Sequence, residues 1–222
     1  MPLKLITFDA FSALLDYRSS LLPAVAEIPD LSADRASQFL EMWRSRQLAV
    51  AALSNALQRG RISFHDCTAF ALDYALNRFA LSVDNAMRDD LIRAWYSLTP
   101  WPEADEVLSA CRAKGLRLAI LSNGDHDMLA TLARQFQTSF DDIFSSEHCG
   151  VYKPHPDMYA MPTRMLGIDE YLHVAGSPND VIGAQSAGVS CYWSNRQDDR
   201  VLLPEFAADH EGPDLKGVLA IK

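Results

Sequence analysis

Short apolar runs alternate along the chain with longer stretches in which apolar residues recur at helical spacing. The runs have the length and the flanking residues of buried strands. They span residues 3–8, 116–121, 142–145 and 172–175, and a last strand is expected near 217–221. The helical stretches span residues 102–114, 126–136, 156–166 and 178–187. This alternation predicts an α/β fold in which helices cover both faces of a doubly wound, mostly parallel sheet.

The region between residues 17 and 97 departs from this alternation. It contains helical stretches at 32–57, 63–79 and 82–96 and no convincing strand. Ser63 and Asp66 have the spacing of a capping box, which supports the start of the second helix. We therefore predict an α/β core made of residues 1–16 and 98–222, interrupted after its first strand by an all-helical cap at 17–97.

Composition and charge exclude several classes of protein. The chain has 222 residues, of which 49% are hydrophobic and 22% charged, as in ordinary globular domains. Its formal net charge of -9 excludes a nucleic acid as the main partner, because backbone binding requires basic residues. No apolar run reaches the length of about 18 residues that a membrane helix needs. A small-molecule ligand is the expectation.

The cysteines and histidines lack the spacing of metal ligands. The cysteines are too widely separated for a secreted disulfide scaffold, so a reducing cytoplasm is expected. They are Cys67, Cys111, Cys149 and Cys191. The histidines are expected at the surface or in loops. They are His65, His126, His148, His155, His173 and His210.

Polar side chains follow the predicted strands, where a doubly wound sheet binds its ligands. In chain order they are Asp9, Ser122, Asn123, Lys153, Ser177 and Asp180. One cation among carboxylates is an arrangement that suits a carboxylate nucleophile, and Asp9 is the candidate for that role. Each residue also has a purely structural interpretation, since Ser122 and Ser177 each have an acid three residues on and fit capping boxes. Their joint occurrence at one edge of the sheet favours a site.

Four segments in these places resemble the motifs of the haloacid dehalogenase superfamily of hydrolases. They read F-D-A-F-S-A-L-L-D at 8–16, L-S-N-G at 121–124, V-Y-K-P at 151–154 and S-P-N-D-V-I-G-A at 177–184. The resemblance covers nearly the whole chain and implies a Rossmann-like core with an inserted cap. Most members of the superfamily are magnesium-dependent phosphatases. A smaller branch, the L-2-haloacid dehalogenases, uses the same aspartate on carbon without a metal.

The acidic positions separate these two branches. The phosphatase pattern has an acid two residues after the nucleophile, where this chain has Phe11, and another four residues before Asp180, where it has Gly176. Asp9 and Asp180 alone make a poor magnesium cage. A leaving halide needs no proton, so displacement at carbon tolerates the missing acid. The resemblance therefore implies neither a metal nor a cofactor.

The cap carries a second group of similarities. Arg44 shares a helical row with Leu40 and Leu48, so its guanidinium is expected to be half-buried, although an arginine whose stem covers apolar surface fits the same pattern. W-R-S-R-Q-L at 43–48 resembles the dehalogenase W-R-x-x-Q-L segment, and Y-S-L-T-P at 96–100 resembles the return into the core.

Carried over residue by residue, the resemblance implies the first half of a dehalogenation. Asp9 attacks C2 of a short 2-haloacid in line, inverts that carbon and forms an ester. Arg44, helped by Asn123, receives the halide.

The remaining matched residues bind substrate or act on the ester. Lys153 pairs with Asp9 and with Asp180, and water near Asp180, positioned with help from Ser177, attacks the ester carbonyl. The substrate carboxylate is held by Ser122 and by backbone N–H groups near Ala10 and Phe11. The apolar pocket is lined by Leu48 and Tyr159.

Other positions depart from the dehalogenase pattern and keep further hypotheses open. They are Phe11, Ser12, Ala13, Ala175, Ser177 and Asn179. The favoured function is hydrolysis of short L-2-haloacids. The alternatives are a phosphatase with a reduced magnesium site and a catalytically silent protein that binds a small carboxylate or a partner. The apolar content of the cap favours a homodimer.

Overall fold

A computed structural model describes residues 3–221. The chain divides into two compact units. The α/β unit runs up to Leu15 and resumes at Pro100, and the helical unit spans Asp16–Thr99. Each unit has a core of its own.

The α/β unit is built on a six-stranded sheet in the order β5-β4-β1-β6-β7-β8. The strands in chain order are β1 (Leu5–Phe8), β2 (Leu15–Asp16), β3 (Thr99–Pro100), β4 (Arg117–Ser122), β5 (Asp142–Ser145), β6 (Leu172–Ala175), β7 (Ser190–Ser194) and β8 (His210–Gly212). Every pairing within the six-stranded sheet is parallel, and all four residues of the central β1 are buried. The short strands β2 and β3 pair separately. The predicted α/β class with a mostly parallel sheet is confirmed.

Alpha-helices make up most of the remaining regular structure within residues 3–221. They are α1 (Tyr17–Ala26), α2 (Ala33–Leu57), α3 (Phe64–Phe79), α4 (Asn85–Ala94), α5 (Ala104–Ala113), α6 (His126–Ala133), α7 (Ser146–Cys149), α8 (Pro156–Leu166) and α9 (Pro178–Ser186). The first four belong to the helical unit and the others to the α/β unit. The Ser63 side chain accepts from the Asp66 N–H, so the predicted N-cap of α3 is present.

The end of the chain differs from the prediction of a strand near residues 217–221. Lys216–Ala220 forms a 3-10 helix, and the last strands of the sheet are β7 and β8. A Cβ atom at Gly217 would lie 2.3 Å from the Tyr192 hydroxyl, so the backbone packs closely under that ring. The apolar residues of this segment therefore cover the sheet without pairing with it.

A buried hydrogen-bond network joins α2 to α3 in the helical unit. The Gln47 amide is fully buried and donates to Thr68 Oγ1 at 2.6 Å, and that hydroxyl donates to the Phe64 carbonyl at 2.8 Å. The Trp43 indole donates to the Thr68 carbonyl at 2.9 Å. Buried polar groups of this kind are stable only while each keeps its partner.

Gln47→Leu removes one member of this network and tests its contribution. We expect the free energy of unfolding to fall by about 1–2 kcal/mol, because Thr68 loses a buried donor. Gln38→Leu, at an exposed position on the same helix, is the matched control and should change it by less than about 0.5 kcal/mol. Urea denaturation of both variants checks the prediction, and equal effects would contradict it.

Candidate active site

Asp9 lies immediately after β1, at the carboxyl edge of the sheet. It is the N-cap of a single π-helical turn, Ala10–Leu14, in which the Leu14 N–H donates to the Asp9 carbonyl at 3.2 Å. The Ser12 N–H donates to Asp9 Oδ2, also at 3.2 Å. Turns of this type occur frequently at functional sites. The backbone thus fixes one oxygen of the Asp9 carboxylate.

The other oxygen of Asp9 faces two side chains from neighbouring segments. Ser122 ends β4, which pairs with β1, and its hydroxyl donates to Asp9 Oδ1 at 3.2 Å. The Lys153 ammonium lies 3.4 Å from the same oxygen. The Asp9 side chain keeps 13% of its surface exposed. It is therefore both held in place and accessible to a small ligand.

Lys153 also pairs with Asp180, in the first turn of α9. Its Nζ lies 3.0 Å from Oδ1 and 3.1 Å from Oδ2, and both side chains are 5% exposed. Burial alone would raise the pKa of Asp180, but the Lys153 ammonium and the hydrogen bonds from His173 and Tyr159 lower it well below its usual range. Asp180 is therefore ionised at neutral pH.

Tyr159 takes a different place from the predicted lining of an apolar pocket. It is fully buried, and its hydroxyl donates to Asp180 Oδ1 at 2.7 Å. Burial and the nearby Asp180 charge raise the pKa of Tyr159 well above its ordinary value, so the hydroxyl stays a donor. Tyr159 orients Asp180, a contact that helical spacing alone could not reveal.

His173 corrects the prediction that the histidines lie at the surface or in loops. It lies in β6 and is fully buried. Its Nε2 lies 3.0 Å from Asp180 Oδ2 and 3.2 Å from Lys153 Nζ, and its Nδ1 lies 2.8 Å from Thr7 Oγ1. Metal-ligand spacing gives no sign of this role of His173. Its position inside the predicted strand at 172–175 does indicate burial.

The other predicted residues of the α/β unit have structural contacts of their own. The Asn123 side-chain oxygen accepts from the Lys153 N–H at 2.8 Å, so it fixes the loop that carries the lysine. Ser177 is the N-cap of α9 but makes no side-chain capping hydrogen bond. Ala10 and Phe11 are buried in the π-helical turn.

Arg44 and Leu48 belong to the helical unit. Arg44 is partly buried, and its guanidinium donates to Gln47 Oε1 at 2.5 Å. It lies 5.4 Å from the ring centroids of both Tyr17 and Trp95, within range of cation–π attraction. Leu48 is 36% exposed. Packing and hydrogen bonding thus hold this arginine in one orientation.

The described residues of the α/β unit lack the set of carboxylates that a divalent cation would need at Asp9. Phe11 and Gly176 stand where an acid would be required, and a Cβ atom at Gly176 would lie 2.3 Å from the Ala13 nitrogen. Among residues 3–221, no cluster of three acidic, histidine or cysteine side chains has the geometry of a metal site. Asp9 and Asp180 are instead bridged by the Lys153 ammonium. The residues present do not fit magnesium.

An aspartate after the central strand, a buried lysine beside it and a second aspartate on a following helix form one cluster of charged side chains at the edge of the sheet. The family model of the haloacid dehalogenase-like hydrolases matches residues 3–188. The chain therefore belongs to the haloacid dehalogenase-like hydrolase family.

Individual relatives are similar over most of their length. Haloacetate dehalogenase H-2 of Moraxella sp. (strain B) is 32% identical over 198 residues, which cover 87% of this chain and 86% of the relative. The (S)-2-haloacid dehalogenase of Xanthobacter autotrophicus is 32% identical over 216 residues, which cover 95% of this chain and 82% of the relative. The solved structure of the L-2-haloacid dehalogenase of Xanthobacter autotrophicus with chloropropionic acid covalently bound is 29% identical, with a TM-score of 0.85, covering 99% of this chain and 98% of that one.

Gly176→Ala tests the close packing that excludes an acid at this position. We expect it to lower the free energy of unfolding by about 3 kcal/mol, because the new Cβ meets backbone atoms of the π-helical turn that cannot move independently. Gly167→Ala is the control, since Gly167 has a φ of 62° and open space around it, and should cost about 1 kcal/mol. Equal losses in urea denaturation would contradict the packing argument.

Asp180→Asn tests the ion pair through the pH dependence of stability. The folded state lowers the pKa of Asp180, so the stabilisation is fully present above the unfolded value of about 3.9 and is lost as the pH falls below it. The difference in unfolding free energy between the native chain and the variant should therefore be constant from about pH 5 to 7 and shrink towards about pH 2.5. Urea melts across this range measure it. A difference that does not vary with pH would contradict the assignment.

Proposed function

We propose that this protein hydrolyses short L-2-haloacids to 2-hydroxy acids and halide, through an ester on Asp9 and without a metal ion. The observation that carries the proposal is the Asp9 carboxylate, held by Ser122 and paired with Lys153, at a sheet edge where the acids needed for magnesium are missing. A charged and partly exposed carboxylate of this kind is suited to nucleophilic attack.

In the first step an oxygen of Asp9 attacks C2 of the substrate from the side opposite the halogen. A carbon–oxygen bond forms as the carbon–halogen bond breaks, and the halide leaves with the bonding electrons. No proton is transferred, which agrees with the apolar Phe11 in place of an acid beside the nucleophile. The carbon is inverted and Asp9 becomes an ester.

In the second step water attacks the carbonyl carbon of the Asp9 ester. Asp180 accepts a proton from that water as the tetrahedral intermediate forms. The bond from the intermediate to the 2-hydroxy acid oxygen then breaks, and that oxygen takes the proton that Asp180 had accepted. The other proton of the attacking water leaves to solvent, and Asp9 returns as a carboxylate. Lys153 stabilises the negative charge at both aspartates, and Tyr159 holds Asp180 in position.

The remaining residue roles in the proposal concern binding of the substrate and of the halide. Ser122 and backbone N–H groups of the π-helical turn hold the substrate carboxylate, with Ser177 nearby. Arg44, helped by Asn123, stabilises the departing halide, and Leu48 contributes apolar surface. The fixed orientation of the Arg44 guanidinium supports its role, because a preoriented cation needs no reorganisation when the halide forms.

The relatives support this substrate class. Two of them are named for haloacetate and for (S)-2-haloacids, and one of the solved structures carries chloropropionic acid covalently bound. A covalent bond to this acid is the intermediate that attack by a carboxylate would leave.

The cellular setting is a further part of the proposal. We place the protein in a reducing cytoplasm, because its cysteines are widely separated and form no disulfide within residues 3–221. They are Cys67, Cys111, Cys149 and Cys191. No helix within the described residues has the length and apolarity to cross a bilayer. The homodimer stays a prediction, which the mass of the protein in solution tests.

Chloride release from L-2-chloropropionate in excess chelator tests the proposed function. We expect stoichiometric release of chloride and lactate of inverted configuration, little reaction of the D isomer, and no release by Asp9→Asn, because an amide cannot displace the halide. Ion chromatography and chiral analysis of the product give both measurements.

Asp66→Asn, an exposed change in the helical unit, is the control for the loss of a carboxylate. Chloride release that requires added magnesium, or that persists in Asp9→Asn, would contradict the proposal. Phosphate release from an aryl phosphate with magnesium, in place of dehalogenation, would favour the phosphatase alternative.

A further inference from the structure

His173 is a polar residue in the interior of β6, opposite Thr7 of β1 and Cys191 of β7. It is fully buried between β1 and β7, where Val174 and Leu172 on the same strand pack as ordinary core residues. Burying an imidazole is unfavourable unless its ring nitrogens have hydrogen-bond partners. Burial lowers the pKa of His173, against the attraction of Asp180, so the ring is neutral at neutral pH. A neutral imidazole has one donor nitrogen and one acceptor nitrogen.

Both ring nitrogens of His173 have hydrogen-bond partners, and the partners differ in charge: one nitrogen faces a neutral hydroxyl and the other faces an ion pair. Nδ1 faces the Thr7 hydroxyl, which can donate or accept and so suits either tautomer. Nε2 faces the ion pair itself, at 3.0 Å from Asp180 Oδ2 and 3.2 Å from Lys153 Nζ. One tautomer donates to the carboxylate and the other accepts from the ammonium. In each, Nε2 keeps a contact with one member of the ion pair.

We propose that His173 is a positioning residue for ester hydrolysis: its Nε2 fixes the Asp180 carboxylate and the Lys153 ammonium in the arrangement that directs water at the Asp9 ester. The inference rests on the proposed function. It concerns the second step in particular, because Nε2 contacts Asp180 directly and reaches Asp9 only through Lys153. Removing Nε2 should therefore slow hydrolysis much more than halide displacement.

Two substitutions distinguish the two nitrogens. The side-chain amide of glutamine reaches about as far as Nε2, whereas that of asparagine reaches only about as far as Nδ1. His173→Gln therefore keeps a polar group against the ion pair, and His173→Asn keeps one against Thr7. His173→Phe retains a ring of similar size and removes both nitrogens.

Rapid-quench kinetics with L-2-chloropropionate separate the two steps. In His173→Phe we expect one equivalent of chloride per site to be released at a rate within about threefold of the native chain, followed by turnover slowed about ten- to a hundredfold. The Asp9 ester should then accumulate and be visible in the mass of the intact protein. His173→Gln should restore turnover to within about threefold, and His173→Asn should remain slow.

Several results would overturn the inference that His173 is a positioning residue. Native turnover in His173→Phe, or equal slowing of halide release and turnover, would overturn the inference while leaving the proposed function intact. Equal turnover rates in His173→Gln and His173→Asn would also overturn the inference. This comparison can be made even if His173→Phe does not fold. Failure of the unaltered protein to release chloride would overturn the proposed function itself.

Discussion

The candidate active site depends on one buried ammonium group, that of Lys153, which contacts several of its polar side chains. The ammonium lies within 3.4 Å of Asp9, of Asp180 and of the His173 ring, each of which comes from a different segment of the chain. The negative charges of two neighbouring carboxylates repel each other, and a cation placed between them offsets that repulsion. The lysine supplies this cation in a fixed position, so the site needs no exchangeable ion to stay ordered.

The neighbours of Lys153 could be predicted only to the extent that strand order places them together. Asp9, Ser122 and Asp180 follow strands that are adjacent in the sheet, and their convergence follows from topology. Tyr159 and His173 were misjudged because their roles depend on which way a buried side chain points. Helical spacing and metal-ligand spacing carry no information about the hydrogen bonds that each makes with Asp180.

In the fold, too, the elements marked by a sequence pattern could be predicted, whereas the features that depend on tertiary packing could not. The strands at 142–145 and 172–175 and the helix at 156–166 were predicted with the observed bounds, because apolar runs and glycine stops mark them. The C-terminal region was not predicted, since β8 is a short polar edge strand and the apolar segment after it packs over the sheet. Similarly, no sequence pattern reveals that the π-helical turn fills the space beside Gly176.

The central claim is that Asp9 itself bonds to the substrate carbon. A single turnover in oxygen-18 water, with enzyme in excess over L-2-chloropropionate, tests it most directly. The account predicts that the label enters the Asp9 carboxylate, detected in the peptide that contains it, while the hydroxyl oxygen of the first product molecule is unlabelled. Label in that hydroxyl and none in Asp9 would mean that water attacks the substrate directly, and would contradict the account.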